Sequence, residues 1–247
     1  MELTTALLLV GGGLVAGFVN TVAGGGSVVT LPILIELVGL PATVANGTNR
    51  IAILLQNVAG VAGYRKGGVL EARRILPLLP ATLVGAVAGA WVATEVSPEA
   101  LRKVFAGVIV LVALSVLVKP SRWLGGSERR LAEPWRSLAF LGIGFYGGFV
   151  QAGVGFLLLA GLVLGGGFGL VKGNAAKVLI VLVYTPLTLL LFARAQQVDL
   201  VAGLVLAAGN VSGALLATFF AVKKGAGWIR WVLVIAAVGA ALRMLLA

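Results

Sequence analysis

Long apolar runs joined by short polar connections are the dominant feature of this chain. Only 11% of its 247 residues are charged and 60% are hydrophobic, whereas a soluble domain carries about 25% charged residues. So few polar side chains cannot cover the surface of a water-soluble fold of this length. The sequence therefore predicts an all-α integral membrane protein.

The apolar runs divide the chain into ten segments. A helix needs roughly 20 residues to cross the hydrocarbon core of a bilayer. The second segment is shorter than that and the sixth is interrupted by glycines, so either could enter the bilayer without crossing it. The predicted segments are about 3–23, 27–39, 41–64, 75–93, 101–118, 137–151, 153–171, 173–193, 199–222 and 228–246.

The basic residues, which give a net charge of +11, gather in three connections, 64–74, 119–136 and 223–230. Basic loops of membrane proteins face the cytoplasm, and ten alternating segments place all three on that side. We therefore expect a multi-pass protein of the cell membrane with both termini outside the cytoplasm. No basic patch contains interleaved aromatic residues, so we expect no nucleic-acid partner.

The two halves of the chain resemble one another. "GFVNTVAG" (17–24) aligns with "GFVQAGVG" (148–155), which pairs Asn20 with Gln151, and a later alignment pairs Arg50 with Lys177. Each half holds five segments, and an odd number would leave the second copy upside down in the membrane. We predict an inverted repeat, with halves at 1–118 and 137–247 joined by a cytoplasmic loop at 119–136. Inverted repeats are typical of secondary transporters, whose sites lie between the repeats near the midplane.

The stretch "NTVAGGGSVVTLP" (20–32) places three consecutive glycines inside this apolar sequence. Such a cluster predicts a helix that ends and restarts at depth, with free N–H groups at the new N-terminus and Ser27 as its cap. Those groups suit an anion. Gly153 and Gly155 would act likewise in the second half. Tight helix packing is the competing interpretation, and we assign it to "GAVAG" (85–89) and "GNVSG" (209–213).

These motifs resemble a known family. "GFVNTVAGGGSVVTLPIL", "GLPATVANGTNR" and "YRKGG" are similar to the first-half pattern of the TauE/SafE (toluene sulfonate uptake permease) family, and "GFYGGFVQAGVGFLLLAGL" resembles its second-half counterpart. Asn49 stands where the family usually has serine, and the second glycine cluster is reduced to "GVG". The resemblance implies a membrane carrier that exports small sulfur-containing anions such as sulfite or organosulfonates.

Polar residues inside the segments are the candidate ligands. Arg50 offers a planar guanidinium suited to oxyanions, although it could also snorkel or pair with Glu36, and Lys177 is its counterpart. Gln56 and Asn57 lie deeper and carry less weight. The predicted substrate-binding set is Asn20, Gly24, Gly25, Gly26, Ser27, Asn46, Thr48, Asn49, Arg50, Gln151, Gly153, Gly155, Asn174 and Lys177.

The chain contains no cysteine and no histidine, so we expect no cofactor, no metal and no catalytic residue. The expected partners are a small anion and the lipid bilayer, with homo-oligomerisation left open. Two alternatives to an alternating-access transporter remain. One is a membrane enzyme of the lipid or acyl transferase type, which would need a dyad such as Ser27 and Lys177. The other is an anion channel.

Overall fold

The computed structural model describes the backbone of residues 1–117 and 131–246 and the side chains of 1–108, 131–225 and 228. The predicted connecting loop lies outside the described residues up to residue 130. We call 1–117 the first half and 131–246 the second half. The helices are α1 (Leu3–Val22), α2 (Ser27–Leu37), α3 (Ala42–Lys66), α4 (Ala72–Glu95), α5 (Pro98–Leu117), α6 (Trp135–Phe149), α7 (Val154–Gly165), α8 (Leu170–Arg194) and α9 (Leu200–Leu246).

These helices follow the predicted segments closely. The largest difference is at α7, which ends at Gly165, earlier than the predicted 171, because glycines occupy 165–167 and Gly167 has φ +68°. The last two predicted segments correspond to the two helical parts of α9, which are separated at Gly225, where the backbone is non-helical (φ +69°, ψ −160°).

Small residues bring α1 and α9 into backbone contact. Gly209 lies against Val10 and Gly213 against Leu14, so closely that an added Cβ would overlap the backbone of α1. Because both contacts advance together along the two helices, α1 and α9 run in the same direction. The packing predicted for "GNVSG" is confirmed.

The helices α4 and α6 make the same kind of contact. Gly85 lies against Leu141 and Gly89 against Phe145, and an added Cβ would again overlap backbone. These two helices are therefore also parallel, and the packing predicted for "GAVAG" is confirmed. Each half thus supplies one helix that pairs with the first helix of the other half.

The two short helices fold back along the helices that precede them. Gly26 at the start of α2 lies against Ala16 of α1, and Ile33 further along α2 lies against Gly12. The helix α7 returns along α6 in the same way, with Val154 against Gly147. The chain therefore forms two hairpins, α1–α2 and α6–α7, each with one short arm.

The long helices α3 and α8 follow the hairpins and cross each other in the centre. Gly60 lies against Val178 and Gly47 against Phe192, so the two helices are antiparallel. Among the described residues, four helices are long and apolar enough to cross a membrane: Leu3–Val22, Ala72–Glu95, Leu170–Arg194 and Leu200–Gly225. The helix α3 is not among them, and it carries a run of fully buried polar residues that includes Asn46, Thr48, Asn49 and Arg50.

Candidate functional site at the crossing of two helix breaks

Both predicted breaks are present in the structure. The first separates α1 from α2 and contains Gly24 at φ +94°. The second separates α6 from α7 and contains Gln151 at φ +64° and Gly153 at φ +73°. The left-handed conformation costs a residue with a Cβ about 1–2 kcal/mol, so the surrounding structure must hold Gln151 in place.

The two breaks cross each other in direct backbone contact. A Cβ built on Gly24 would overlap the backbone carbon of Gly155, and one built on Gly155 would overlap the Cα of Gly24. Only glycine permits so close an approach at both positions. The glycine clusters of the two halves therefore form one site rather than two.

A small cavity lies at this crossing. Its volume available to the centre of a water-sized sphere is about 10 Å³, which is room for about one water molecule. Residues from both hairpins and from both central helices line it: Asn20, Ser27, Ile53, Asn57, Gln151, Val154, Gly155, Lys177 and Val181.

Five of the predicted site residues line this cavity: Asn20, Ser27, Gln151, Gly155 and Lys177. The remaining ones do not line it: Gly24, Gly25, Gly26, Asn46, Thr48, Asn49, Arg50, Gly153 and Asn174. Asn57 was given little weight by the sequence. It lies seven residues after Arg50 on α3, two helical turns further along the same face, and that spacing is the signal that could have identified it.

Lys177 is the charged residue of the cavity wall. Its Nζ donates to the backbone oxygens of Asn20 at 2.9 Å and Thr21 at 3.0 Å, and to Oδ1 of Asn174 at 2.7 Å. An ammonium group has three donors, so all of them are used. The cation lies at the C-terminal end of α1, where the helix dipole is negative.

Arg50 is fully buried and lies outside the cavity wall. Its Nη1 donates to Oε1 of Gln151 at 2.7 Å and to Oγ1 of Thr188 at 3.0 Å. Its Nη2 donates to the backbone oxygen of Gly148 in the last turn of α6, and its Cζ lies 4.5 Å from the ring centroid of Phe192. Arg50 therefore holds the second break as Lys177 holds the first.

Neither cation has a carboxylate partner among the described side chains. The sequence offered Glu36 as a partner for Arg50, but Glu36 pairs instead with Arg102 at 2.6 Å, on the exposed surface. Glu36 sits near the end of α2, far along the chain from the break, and cannot serve a buried residue of α3. The crossing thus contains two buried positive charges held by neutral oxygens.

Ser27 does not cap α2 as predicted. The cap position is occupied by Gly26 without a side-chain hydrogen bond, and Ser27 is the first helical residue. Its Oγ accepts from Nδ2 of Asn49 at 3.0 Å, while Oδ1 of Asn49 accepts from Thr30 at 2.7 Å. The tertiary contact with α3, invisible in the local sequence, decides the role of this hydroxyl.

Two consecutive residues of α3, Asn49 and Arg50, each hydrogen-bond to one residue of the cavity wall, one in the first half and one in the second. Asn49 donates to the oxygen of Ser27, and Arg50 donates to the amide oxygen of Gln151. With those acceptors occupied, the Ser27 hydroxyl hydrogen and the Gln151 amide nitrogen are left as donors, and neither donates a bond among the described residues. The arrangement makes the cavity wall rich in donors.

Backbone N–H groups add to these donors. In the described residues, no hydrogen bond uses the N–H of Gly25, Gly26 or Ser27 at the start of α2, nor that of Gly153 or Gly155 in the second break. Helix N-termini leave such groups without partners inside the helix. Of these five residues, Ser27 and Gly155 line the cavity, so each half brings one residue with an unused N–H group to its wall.

The other predicted polar residues brace the site from a distance. Asn46 donates to the backbone oxygen of Phe149 at 2.8 Å, and the Thr48 hydroxyl accepts from the N–H of Asp199 at 2.8 Å. Asn174 accepts from Lys177, as described above. Ser27 and Lys177 share the cavity wall, but an amine whose three donors are all engaged cannot act as a general base for the hydroxyl.

The chain is similar to several known membrane proteins. The family model for sulfite exporter TauE/SafE matches residues 9–244. A probable membrane transporter protein, ORF9, of a Sinorhizobium species is 28% identical over 94% of this chain and 88% of the relative. The probable membrane transporter protein YfcA of Escherichia coli K12 is 27% identical over 90% of this chain and 82% of the relative. No solved structure matches the chain.

Proposed function

Because this chain belongs to the sulfite exporter TauE/SafE family, we propose that it carries small sulfur-containing anions such as sulfite or organosulfonates, and that the anion binds in the cavity where the two breaks cross. Its family and its relatives make it a membrane transporter. The identity of the anion and the mechanism of its transport are what we propose.

The observation that carries the proposal is the set of donors around the cavity. Ser27, Gln151 and Gly155 all line the cavity, so a hydroxyl hydrogen, an amide nitrogen and the unused backbone N–H groups of Ser27 and Gly155 lie at a wall that contains no acidic residue. An oxyanion accepts several hydrogen bonds at once, and donors fixed in advance lose little entropy on binding it. A cation would be repelled there by the Lys177 ammonium and by the N-terminal ends of α2 and α7.

The charge of Lys177 contributes through its field. Two unit charges 4 Å apart interact by about 4 kcal/mol at an effective dielectric constant of about 20. Lys177 can therefore attract an anion while its three hydrogens remain bound to Asn20, Thr21 and Asn174. We propose that Asn20 donates its side-chain amide to the anion as a further ligand.

The predicted residues that lie behind the wall have supporting roles in this proposal. Arg50 and Asn49 turn Gln151 and Ser27 into donors, and Asn174 holds the Lys177 ammonium. Gly24 supplies the close approach to Gly155, and Gly25, Gly26 and Gly153 have N–H groups that take part in no hydrogen bond among the described residues. Asn46 and Thr48 fix α3 against the second half.

We propose that the two halves form an inverted repeat and that transport proceeds by alternating access between them. The matching hairpins, the reciprocal pairing of α1 with α9 and of α6 with α4, and the antiparallel α3 and α8 all support this relation. A negative membrane potential favours outward movement of an anion by about 2.3 kcal/mol per charge for each 100 mV, so export needs no further coupling in this scheme.

Thermal stabilisation of the purified protein tests the anion class. A cavity with room for about one water molecule must widen to admit any oxyanion, and a compact oxyanion requires the least widening, so we expect sulfite to raise the unfolding temperature more than an organosulfonate does. A ligand present at 100 times its Kd stabilises the folded state by about 2.7 kcal/mol. The Lys177→Met variant, which lacks the charge in the cavity wall, should lose most of this rise in unfolding temperature.

Equal responses to sulfite, to chloride and to an organic cation would contradict the proposal. Counterflow of labelled sulfite in proteoliposomes then separates a carrier from a channel, because only a carrier exchanges label against an unlabelled gradient. Chemical conversion of lipid or anion by the same vesicles would instead favour the enzyme.

A further inference from the structure

We infer that the segment 67–71, which we call the clasp, closes one end of the pathway between the two halves, and that Glu71 is the positioning residue that holds it shut through Lys172. This inference rests on the proposed transport by alternating access. It assigns a role to charged residues that lie outside the cavity.

Glu71 receives two cations from different parts of the chain. Its Oε1 accepts from Nζ of Lys172 on α8, and its Oε2 accepts from Nη1 of Arg74 at 2.7 Å. The Lys172 ammonium holds the pKa of the Glu71 carboxyl below its usual range, and Arg74 acts in the same direction. The carboxylate is therefore charged at neutral pH and joins the first half to the second.

Arg74 extends the same connection. Its Nη2 donates to the backbone oxygen of Gly167 at 2.9 Å, and its Cζ lies 4.4 Å from the ring centroid of Phe168. Both contacts fall on the turn that leads into α8. The clasp and the start of α4 therefore both contact the beginning of α8, the helix that carries Lys177.

The clasp lies close to the cavity along the axis of α8. Lys172 precedes Lys177 by five residues on α8, about 7.5 Å along the axis at 1.5 Å per residue. Leu70, the neighbour of Glu71, packs against two apolar clusters, one containing the cavity residues Ile53, Val154 and Val181 and the other containing Val22, Tyr64 and Val178. Breaking the contacts of Glu71 would therefore also free Leu70, the side chain that packs against both clusters.

The opposite end of the molecule is closed differently. The four ion pairs among the described side chains include only one that joins the two halves, Glu71 with Lys172. At the other end the halves meet through neutral contacts, such as Nε2 of Gln197 with the backbone oxygen of Thr94 at 3.0 Å. A half-exposed ion pair is weak and can break and re-form in each cycle, which suits a gate.

Substituted-cysteine labelling tests the clasp without any substrate, because the chain has no native cysteine. Val181→Cys places a thiol in the cavity wall, and its reaction with a membrane-impermeant methanethiosulfonate is followed in vesicles of each orientation. We expect Glu71→Gln to speed labelling by about fivefold, the factor for a pair worth about 1 kcal/mol, from the side that exposes the clasp and not from the other side.

Lys172→Gln should give the same increase, and it also serves if Glu71→Gln fails to fold. Glu133→Gln is the matched control, because Glu133 pairs with Arg136 within one segment and its loss should leave the rate unchanged. Labelling that rises in neither Glu71→Gln nor Lys172→Gln, or that rises equally from both sides, overturns the clasp. Failure of the anion proposal would leave this result intact, since no anion is used.

Discussion

Arg50 and Lys177 occupy corresponding places in the two halves, and their difference shows how one structural solution serves two purposes. Each lies on a central helix and donates to backbone oxygen near the end of the broken helix of the opposite half, Arg50 to Gly148 and Lys177 to Asn20 and Thr21. A positive charge at a helix C-terminus is stabilising. Only Lys177, however, also lines the cavity.

The same asymmetry extends to the backbone. In the first break, positive φ falls on Gly24, whereas in the second break it falls on Gln151 as well as Gly153. A strained glutamine is held there by its bond to Arg50. We conclude that the first break meets the second through Gly24 and is held by Lys177, while the second is built around Gln151, which Arg50 holds in place.

The largest expected effect concerns the crossing glycines. Gly24→Ala should lower the free energy of unfolding by about 3 kcal/mol, because the new Cβ meets the backbone of Gly155 and the residue has a positive φ. Gly155→Ala, which suffers the overlap alone, should cost less. Thermal unfolding in detergent measures both.

Gly142→Ala is the control for these glycines, since nothing lies within 4 Å of a Cβ at that position on α6. Its effect should stay within about 1 kcal/mol. If Gly24→Ala is as stable as Gly142→Ala, the two breaks do not touch.

A smaller effect should separate the two cations. Lys177→Met should weaken anion affinity about 100-fold through the loss of a charge near the ligand, whereas Arg50→Met should weaken it less. Arg50→Met should instead lower stability by about 2 kcal/mol, because it leaves the oxygens of Gln151, Thr188 and Gly148 buried without a donor. Isothermal titration and thermal unfolding of both variants give the two rankings.

The opposite ranking of affinities would place the anion beside Arg50 and away from the cavity. Equal losses in both variants would mean that the two cations share the ligand. Either result would contradict the proposal that Lys177 lies beside the anion while Arg50 only supports the second break.

The smallest effect should come from the first-half hydroxyl. Ser27→Ala removes one neutral donor from the cavity, worth about 1 kcal/mol, and should weaken anion binding about fivefold. Because it also leaves Nδ2 of Asn49 without its acceptor, it should lower the free energy of unfolding by about 1 kcal/mol. Ser212→Ala is matched in chemistry but lies on an exposed face of α9, so it should leave affinity unchanged. Indistinguishable affinities for the two variants would exclude Ser27 as a ligand.

Much of the fold was predictable because it follows from hydrophobicity. The segment boundaries, the two breaks and the packing roles of Gly85, Gly89, Gly209 and Gly213 could all be inferred from local composition. Within the site, the alignment of "GFVNTVAG" with "GFVQAGVG" singled out Asn20 and Gln151 from the sequence alone. The cavity that both residues line agrees with that pairing.

Other features depended on contacts between distant parts of the chain. Ser27 has a serine's usual preference for a helix N-cap, yet Asn49 engages its hydroxyl from α3. Glu36 looked available to Arg50, but the turn of α2 carries it to Arg102. Asn57 drew little attention, because nothing local distinguishes a residue that faces a cavity from one that faces a neighbouring helix.

Composition alone determined that this chain enters a membrane and that its helices break at the glycine clusters, since bilayer hydrocarbon and backbone geometry act on each segment separately. Only the tertiary structure decided that the two breaks cross at Gly24 and Gly155, that Lys177 lines the shared cavity, and that Arg50 stands behind it. These arrangements depend on which helices pack together, because side chains from opposite halves determine which donors are engaged and which are free.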